Sequence, residues 1–459
     1  MSFDQAVIIG GGIAGLLTAA ALSESFRTVT IVERDELPEE PRHRRGVPQG
    51  LQVHALLAAG QDAMEELLPG VGQRFVDAGG VVVDSPADIA VFTSQGWSGR
   101  VRSKAHVVCM RRPHLELVLR QRVTELRNVR IVRGTVTGLT VSADARAVTG
   151  VTVKGGATAS MSADLVVDAS GRSSKAPVWM EDLGFPKPRE AEVRSFIGYA
   201  TVPVRLPDGA LPEGVLGVLA HPHPGNPRGA AVVPCDNGLH LLAGLGMVKA
   251  DPPSDREAFL AHLDQAPSPL IGEIARKADF LGPVHTYRIP GSRRRYWEEL
   301  HPRPEGFVAV GDAVMSLNPL YGQGMSVAAV QARTLKSVVA QADGRLTGLA
   351  DRIQKSFTST LDTVFEMALD VDGHYANVEF IGVERPSQEA AAYNRYLSQV
   401  ATEDAEVSLA LKYAAHYFST DLLQSESVRS KVRDWIDSGR TVVHNDPRKI
   451  PGIIDGPGQ

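Results

Sequence analysis

Two cysteines in 459 residues, Cys109 and Cys235, are too few and too far apart for a disulfide framework or a zinc cluster. They fit a reducing cytosol, so a cytoplasmic location is expected. Long apolar runs are missing too: no uninterrupted stretch of about 18 apolar residues occurs, and a membrane-spanning helix is not expected. Charge of one sign is also lacking. The 48 basic and 53 acidic side chains leave a net charge of −5, and the densest basic cluster is Arg293-Arg294-Arg295, so nothing suits nucleic acid. Met1-Ser2-Phe3-Asp4 runs straight into a β-rich string without a basic leader. Histidines are present at His221 and His223, but the intervening prolines prevent helical i,i+4 pairing, so no metal site is expected. No repeat or low-complexity tract stands out.

What is there begins at residue 5. Gln5-Ala6-Val7-Ile8-Ile9 reads as a strand, Gly10-Gly11-Gly12-Ile13-Ala14-Gly15 follows, and an apolar helical run begins. The spacing is that of a dinucleotide fingerprint. Gly10 makes the tight turn, Gly12 lets backbone N–H groups reach a pyrophosphate, and Gly15 permits close helix packing. Eighteen residues past Gly15 a second β-rich run, Thr28 to Val32, ends in Glu33, where a carboxylate can hold a ribose hydroxyl. A glycine fingerprint alone is common, but strand, turn, helix, strand and acid in order are specific. They do not choose between FAD and NAD.

At 459 residues two or three domains are expected. Leu37 to Pro48, rich in Pro, Arg and Glu, reads as a loop, and a helix is expected from near Leu51 to Leu68. Another is expected from Pro113 to about Leu126, with strands at 129–132, 148–153 and 165–168. Between about 191 and 300 short β-type runs at 196–204, 215–220, 230–233 and 239–245 predict an antiparallel sheet. A strand then ends in Gly311-Asp312, residues from Met325 to about Leu369 look helical, and the tail from Asp446 to Gln459 is expected to fray.

Three separated motifs together resemble the FAD-dependent monooxygenase superfamily with the para-hydroxybenzoate hydroxylase fold. The first is the N-terminal fingerprint. The second is Asp168-Ala169-Ser170-Gly171-Arg172-Ser173-Ser174, similar to a segment that lies near both FAD and the nicotinamide path in relatives. The third is Gly311-Asp312-Ala313-Val314 continuing through Asn318-Pro319-Leu320-Tyr321-Gly322-Gln323-Gly324-Met325. A carboxylate at Asp312 can accept ribityl hydroxyls, and a helix opening at Gly322 and Gly324 presents its positive end to a reduced flavin. Arg45-Gly46-Val47-Pro48-Gln49, His54-Ala55-Leu56-Leu57 and Arg112-Pro113-His114-Leu115-Glu116 look like actinobacterial polyketide and polyether epoxidases and the related dialkyldecalin-forming cyclases. The resemblance implies cofactor contacts at Gly10, Gly12, Ala14, Gly15, Glu33, Arg34, Arg45, Arg112, Asp312, Pro319, Gly322, Gly324 and Met325. His54, alone on an amphipathic run, is as readily a packing residue as a site residue, and no catalytic side chain is assigned.

The implied fold class is α/β, α+β overall: a Rossmann-like FAD-binding domain over 1–78, 105–190 and 300–345, a substrate domain over 79–104 and 191–299, and a helical C-terminal region over 346–459. The implied reaction is epoxidation or hydroxylation through a flavin C4a-hydroperoxide, with NADPH or NADH as transient donor. The partner is a large apolar small molecule, a polyene or polyketide of natural-product biosynthesis, with Phe196, Ile197, Val215, Leu216, Val218 and Leu242 as candidate apolar surface. The alternative is a non-redox [4+2] cyclase in which FAD is structural. Halogenases of this fold carry a Trp-x-Trp-x-Ile-Pro segment; His285-Thr286-Tyr287-Arg288-Ile289-Pro290 has neither Trp. Tyr413, His416, Tyr417 and Phe418 form either a lid or helix packing.

Overall fold

The N-terminal strand Phe3–Ile9 lies at the centre of a five-stranded, all-parallel sheet. Covered on both faces, it has no solvent side, so its sequence runs apolar instead of alternating. Phe26–Glu33 and Leu165–Asp168 flank it, and Val129–Arg133 and Phe307–Ala309 form the edges. The register sets Ile9 beside both Val32 and Asp168, which brings the strand ends bearing Gly10, Glu33 and Asp168 level. The crevice beyond those ends is where an open α/β sheet binds its ligand. This computed structural model describes residues 3–442 and 446–454.

Helix Ile13–Leu22 is buried on nearly every side, between the sheet and helix Gly324–Ala340, which also packs against Ala58–Leu67. The single expected helix from Leu51 is instead a short turn at Pro48–Leu51 followed by Ala58–Leu67. The stretch between is held out of helical form because Gln52 Nε2 donates to the His285 carbonyl (2.8 Å) and Val53 N–H to Thr201 Oγ1 (3.3 Å). The expected run to Leu369 is three helices, Gly324–Ala340, Leu349–Ser356 and Thr358–Gly373, interrupted where Asp343 and Gly344 adopt positive φ.

The second sheet joins Ile197–Arg205, His240–Gly246, Arg228–Pro234 and Gly217–Ala220 antiparallel, as the spacing predicts. One pairing departs from it: Gly217–Ala220 runs parallel to Ile89–Thr93, because the chain segment before residue 105 supplies the outer strands. Alternation gives this sheet two faces. Tyr199, Ala231, Ala243 and Leu245 join the core shared with the parallel sheet, while Val202, Val218, Val232 and Leu242 pack with Phe259 and Ile271 of the helices on the far side.

Helices Gln388–Val400, Ala405–Tyr417 and Glu426–Asp437 enclose a small core of Leu397, Val407, Val432 and Trp435. Among the described residues no helix is long and apolar enough to cross a membrane. The tail corrects the expectation of fraying over 446–454. Trp97 Nε1 donates to the Asp446 carbonyl (3.1 Å), Ser268 Oγ to that of Pro447 (2.6 Å) and Arg100 Nη1 to that of Pro451 (3.2 Å), and Ile453–Ile454 pairs with Arg100–Val101. Glycine and proline weaken local order there, and donors from Trp97, Arg100 and Ser268 override it. Residues 455–459 of that tail lie outside the described residues.

Candidate functional site

The turn after the first strand demands glycine twice. Gly10 has φ +101°, and a Cβ there would lie 2.8 Å from the Ala169 carbonyl oxygen; a Cβ on Gly15 would lie 1.9 Å from the Gly10 oxygen. Gly12 then stands at the head of helix Ile13–Leu22 with no side-chain cap and no acidic residue in the first turn. A helix start of this kind leaves N–H groups and partial positive charge facing the crevice. Ala14, on the same turn, lies against Gly311, where an added Cβ would come within 2.7 Å of the Ala14 methyl. The first and third motifs therefore touch.

Glu33 is buried at the end of its strand, accepting from Gly11 N–H (2.6 Å) and Asp35 N–H (2.8 Å). Beside it lies a residue the motif reading passed over. Arg44 is buried, with Nε 3.0 Å from Glu116 Oε2 and Nη1 3.4 Å from Asp35 and 3.6 Å from Glu33. Glu116 also takes Arg112 Nε at 2.8 Å. Burial alone would push the Glu116 carboxyl up, but Arg112 and Arg44 hold it below the usual carboxylate range. Arg45 and Arg34, by contrast, are exposed. The one signal available in advance was the i,i+4 spacing of Arg112 and Glu116.

At the other end, Gly311-Asp312 follows the edge strand Phe307–Ala309. Asp312 stands by the start of helix Gly324–Ala340, its Oδ1 3.9 Å from where a Gly324 Cβ would be. Burial pushes its carboxyl up, and Arg112, Arg172 and Arg293 pull it back. Pro319–Tyr321 forms a single turn, Gly322 closes it at φ +66°, and Gly324–Ala340 starts without a side-chain cap or an early acidic residue, with Met325 buried in its first turn. Gln323 Oε1 is buried there with no hydrogen-bond partner among the described residues. Asp168 is occupied by its own loop, accepting from Ser170 N–H (3.0 Å), Ser170 Oγ (2.6 Å) and Ser174 Oγ (2.5 Å). Arg172 donates to the Gly291 carbonyl at 2.8 Å and to Ser316.

The second sheet faces this crevice with Tyr199 and Tyr287, packed edge to face at 5.7 Å. Burial raises both phenols above their ordinary range, and Asp312 adds to the shift. His54 lies near Arg112; burial first, then that guanidinium, lowers it to about 4, so the ring is neutral, with Nδ1 2.8 Å from the Gln52 carbonyl. Of the candidate apolar surface, Val218 and Leu242 belong to the far face, Val215 packs with them, and Leu216 is exposed. Alternation showed that there are two faces without saying which one meets the crevice. Tyr413 and Tyr417 stack edge to face and His416 bonds Ser85 Oγ (3.0 Å), which is helix packing.

Residues 4–352 match the family described as FAD binding domain. The chain is 34% identical over 393 residues to protein Rv3254 of Mycobacterium tuberculosis, covering 82% of each chain. Among solved structures it is similar to the flavin-dependent brominase Bmp2, with TM-score 0.67 and 16% identity over 95% of this chain and 99% of that one. It is also similar to p-nitrophenol 4-monooxygenase PnpA from Pseudomonas putida DLL-E4, with TM-score 0.61 and 16% identity over 91% and 99%. At such identities the structural likeness concerns the fold.

Proposed function

The chain belongs to the family built on this FAD-binding domain, and from that premise we propose that it is an FAD-dependent monooxygenase acting on a large apolar small molecule of polyketide or polyene type. The observation that carries the reading is the pair of uncapped helix starts meeting beside Asp312, with Glu33 at the far end of the same crevice. Residues and cofactor fit each other. Among the described residues no hydrogen-bond donor holds the Asp312 carboxylate, and the Gln323 amide oxygen is unpartnered, so both can receive groups from a ligand.

Bound FAD supplies electron transfer from NADPH or NADH and the activation of O2. In this proposal Glu33 accepts from the adenosine ribose, and the first turn of Ile13–Leu22 at Gly12, Ala14 and Gly15 receives the pyrophosphate. Arg44 supplies the buried positive charge there, Arg34 and Arg45 staying at the rim. Asp312 accepts ribityl hydroxyls while Arg112 holds the charge balance opposite. Pro319, Gly322, Gly324 and Met325 shape the turn against the flavin edge, where the positive helix end stabilises added negative charge. The Gln52–Leu57 stretch, tied to the second sheet by Gln52 and Val53 and to the Gly324–Ala340 helix through Leu57 N–H to Ser326 Oγ (2.9 Å), shields the crevice from water. Tyr199, Tyr287, Leu245 and Met247 provide a largely apolar wall that positions a substrate by shape.

The test is anaerobic absorbance of the purified protein while NADPH, then NADH, is added with candidate substrates, followed by isotope-labelled O2. Bleaching, recovery in air and label in the product support the reading. A flavin that dithionite bleaches but no nicotinamide donor reduces would overturn it in favour of a cyclase with structural FAD.

A further inference from the structure

Helix Thr358–Gly373 delivers one carboxyl group to the turn before helix Gly324–Ala340. Asp372 is fully buried (0% exposed), yet three segments converge on it. Asn318 Nδ2 donates to its Oδ1 at 3.1 Å, Tyr321 Oη donates to the same oxygen, and Ser195 Oγ donates to Oδ2 at 3.0 Å. Asn318 is used twice, because its Oδ1 also accepts Leu320 N–H (3.0 Å) and so closes the turn Pro319–Tyr321. Ser195 comes from the second sheet's side: its carbonyl accepts Val248 N–H (2.8 Å), and the next residue, Phe196, is strained at φ 45°. The titratable groups facing the carboxyl are Tyr321 and Tyr375. Burial pushes Asp372 up to about 6 against the pull of Tyr321, Ser195 and Asn318, so near pH 7 it is mostly ionised in a dry place. Burying an ionisable group is costly, and clusters of this kind concentrate where a structure positions chemistry.

We propose that Asp372 is a positioning residue for the flavin-facing turn: by accepting from Asn318 and Tyr321 it fixes Pro319 to Gly324, and with them the open helix start, in the form that receives the isoalloxazine edge. This rests on the FAD reading above. Removing the acceptor leaves the Asn318 amide and the Tyr321 hydroxyl buried without a partner, and the turn relaxes to find one. An asparagine at 372 keeps the contacts, since its oxygen serves Asn318 and Tyr321 while its NH2 donates to Ser195 Oγ, and only the charge is lost.

The experiment uses the full chain and three variants, Asp372→Asn, Asp372→Leu and Tyr321→Phe. It measures FAD affinity by fluorescence titration and the midpoint potential of the bound flavin at pH 5 and pH 8. Asp372→Leu is expected to weaken FAD binding about tenfold, Tyr321→Phe about threefold, and Asp372→Asn less than about twofold. The Asp372 carboxylate opposes added charge on the flavin, so Asp372→Asn raises the midpoint at pH 8 and leaves it unchanged at pH 5. Should Asp372→Leu not fold, Tyr321→Phe decides the affinity arm. Wild-type affinity in Tyr321→Phe and Asp372→Leu, an Asp372→Asn as weak as Asp372→Leu, or a midpoint unmoved at both pH values overturns the proposal. If the wild-type chain itself takes up no FAD, the FAD reading falls with it; if the wild type binds and the variants match it, only this proposal falls.

Discussion

Two kinds of helix start coexist in this molecule. Ile13–Leu22 and Gly324–Ala340, which open on the crevice, have neither a side-chain cap nor an acidic residue in the first turn. Arg256–Asp264, Ala405–Tyr417 and Glu426–Asp437, away from it, begin on Asp255, Asp404 and Ser425, whose side chains accept a backbone N–H, and each has a glutamate in its first turn. A start closed by its own chain contributes stability. A start left open gives that up and offers the same N–H groups to an anionic ligand. Val71–Asp77 and Thr358–Gly373 are open as well, so an open start alone marks no site; the two at the crevice are set apart by meeting beside Asp312.

The largest way to disturb it acts on what stands beside the open start. Arg44→Ala strands Glu116, Glu33 and Asp35 without their shared cation, and urea denaturation is expected to show a loss of about 3–5 kcal/mol. Closing the open start comes next. At Gly12 an added Cβ meets nothing nearer than Arg44 Nη2 at 3.6 Å, so Gly12→Asp keeps the fold and puts a carboxylate where phosphate belongs. FAD affinity should fall on the order of a hundredfold with the melting temperature nearly unchanged. Opening a closed start is the converse: Asp404→Ala frees Val407 N–H and should cost about 1 kcal/mol without altering FAD affinity. An Asp404→Ala variant that loses FAD would end the distinction.

A pH dependence belongs to the opposite end of a closed helix. His416 lies in the last turn of Ala405–Tyr417, where the helix dipole favours a cation, yet burial and then Lys412 lower it to about 4. Desolvation wins. The folded state resists protonation that the unfolded chain accepts near 6.5, so this contribution is complete above that value and is lost as pH falls toward 4. His54 and His221, also lowered to about 4 by burial, add to it; Asp372, raised to about 6, has the opposite slope. The melting temperature should therefore fall between pH 7 and pH 5, and His416→Asn should flatten part of that fall.

What could be read from sequence was local. The parallel strands and the run of glycines are written in contiguous residues, because a covered strand must be apolar and Gly10 and Gly15 leave no room for a Cβ. The expected strands of the second sheet appear within a few residues of their spacing. Arg44 was not legible: in an irregular loop no periodicity tells which of two adjacent arginines turns inward. Asp372 was less so, since its partner Ser195 is 177 residues away and nothing near it signals a turn. The parallel pairing of Gly217–Ala220 with Ile89–Thr93 likewise depends on a crossing that no local pattern encodes.

Trp97 and the carbonyl that accepts its indole N–H are 349 residues apart, and Arg100 reaches Pro451 across a similar span. A ribosome releases the outer strands of the second sheet early and residues 446–454 very late. Until then the Trp97 indole N–H and one Arg100 nitrogen lack these acceptors, while Arg100 already holds the Ala87 and Gly214 carbonyls. Closure of this outer edge therefore requires the chain to be made through residue 454, long after the strands it latches.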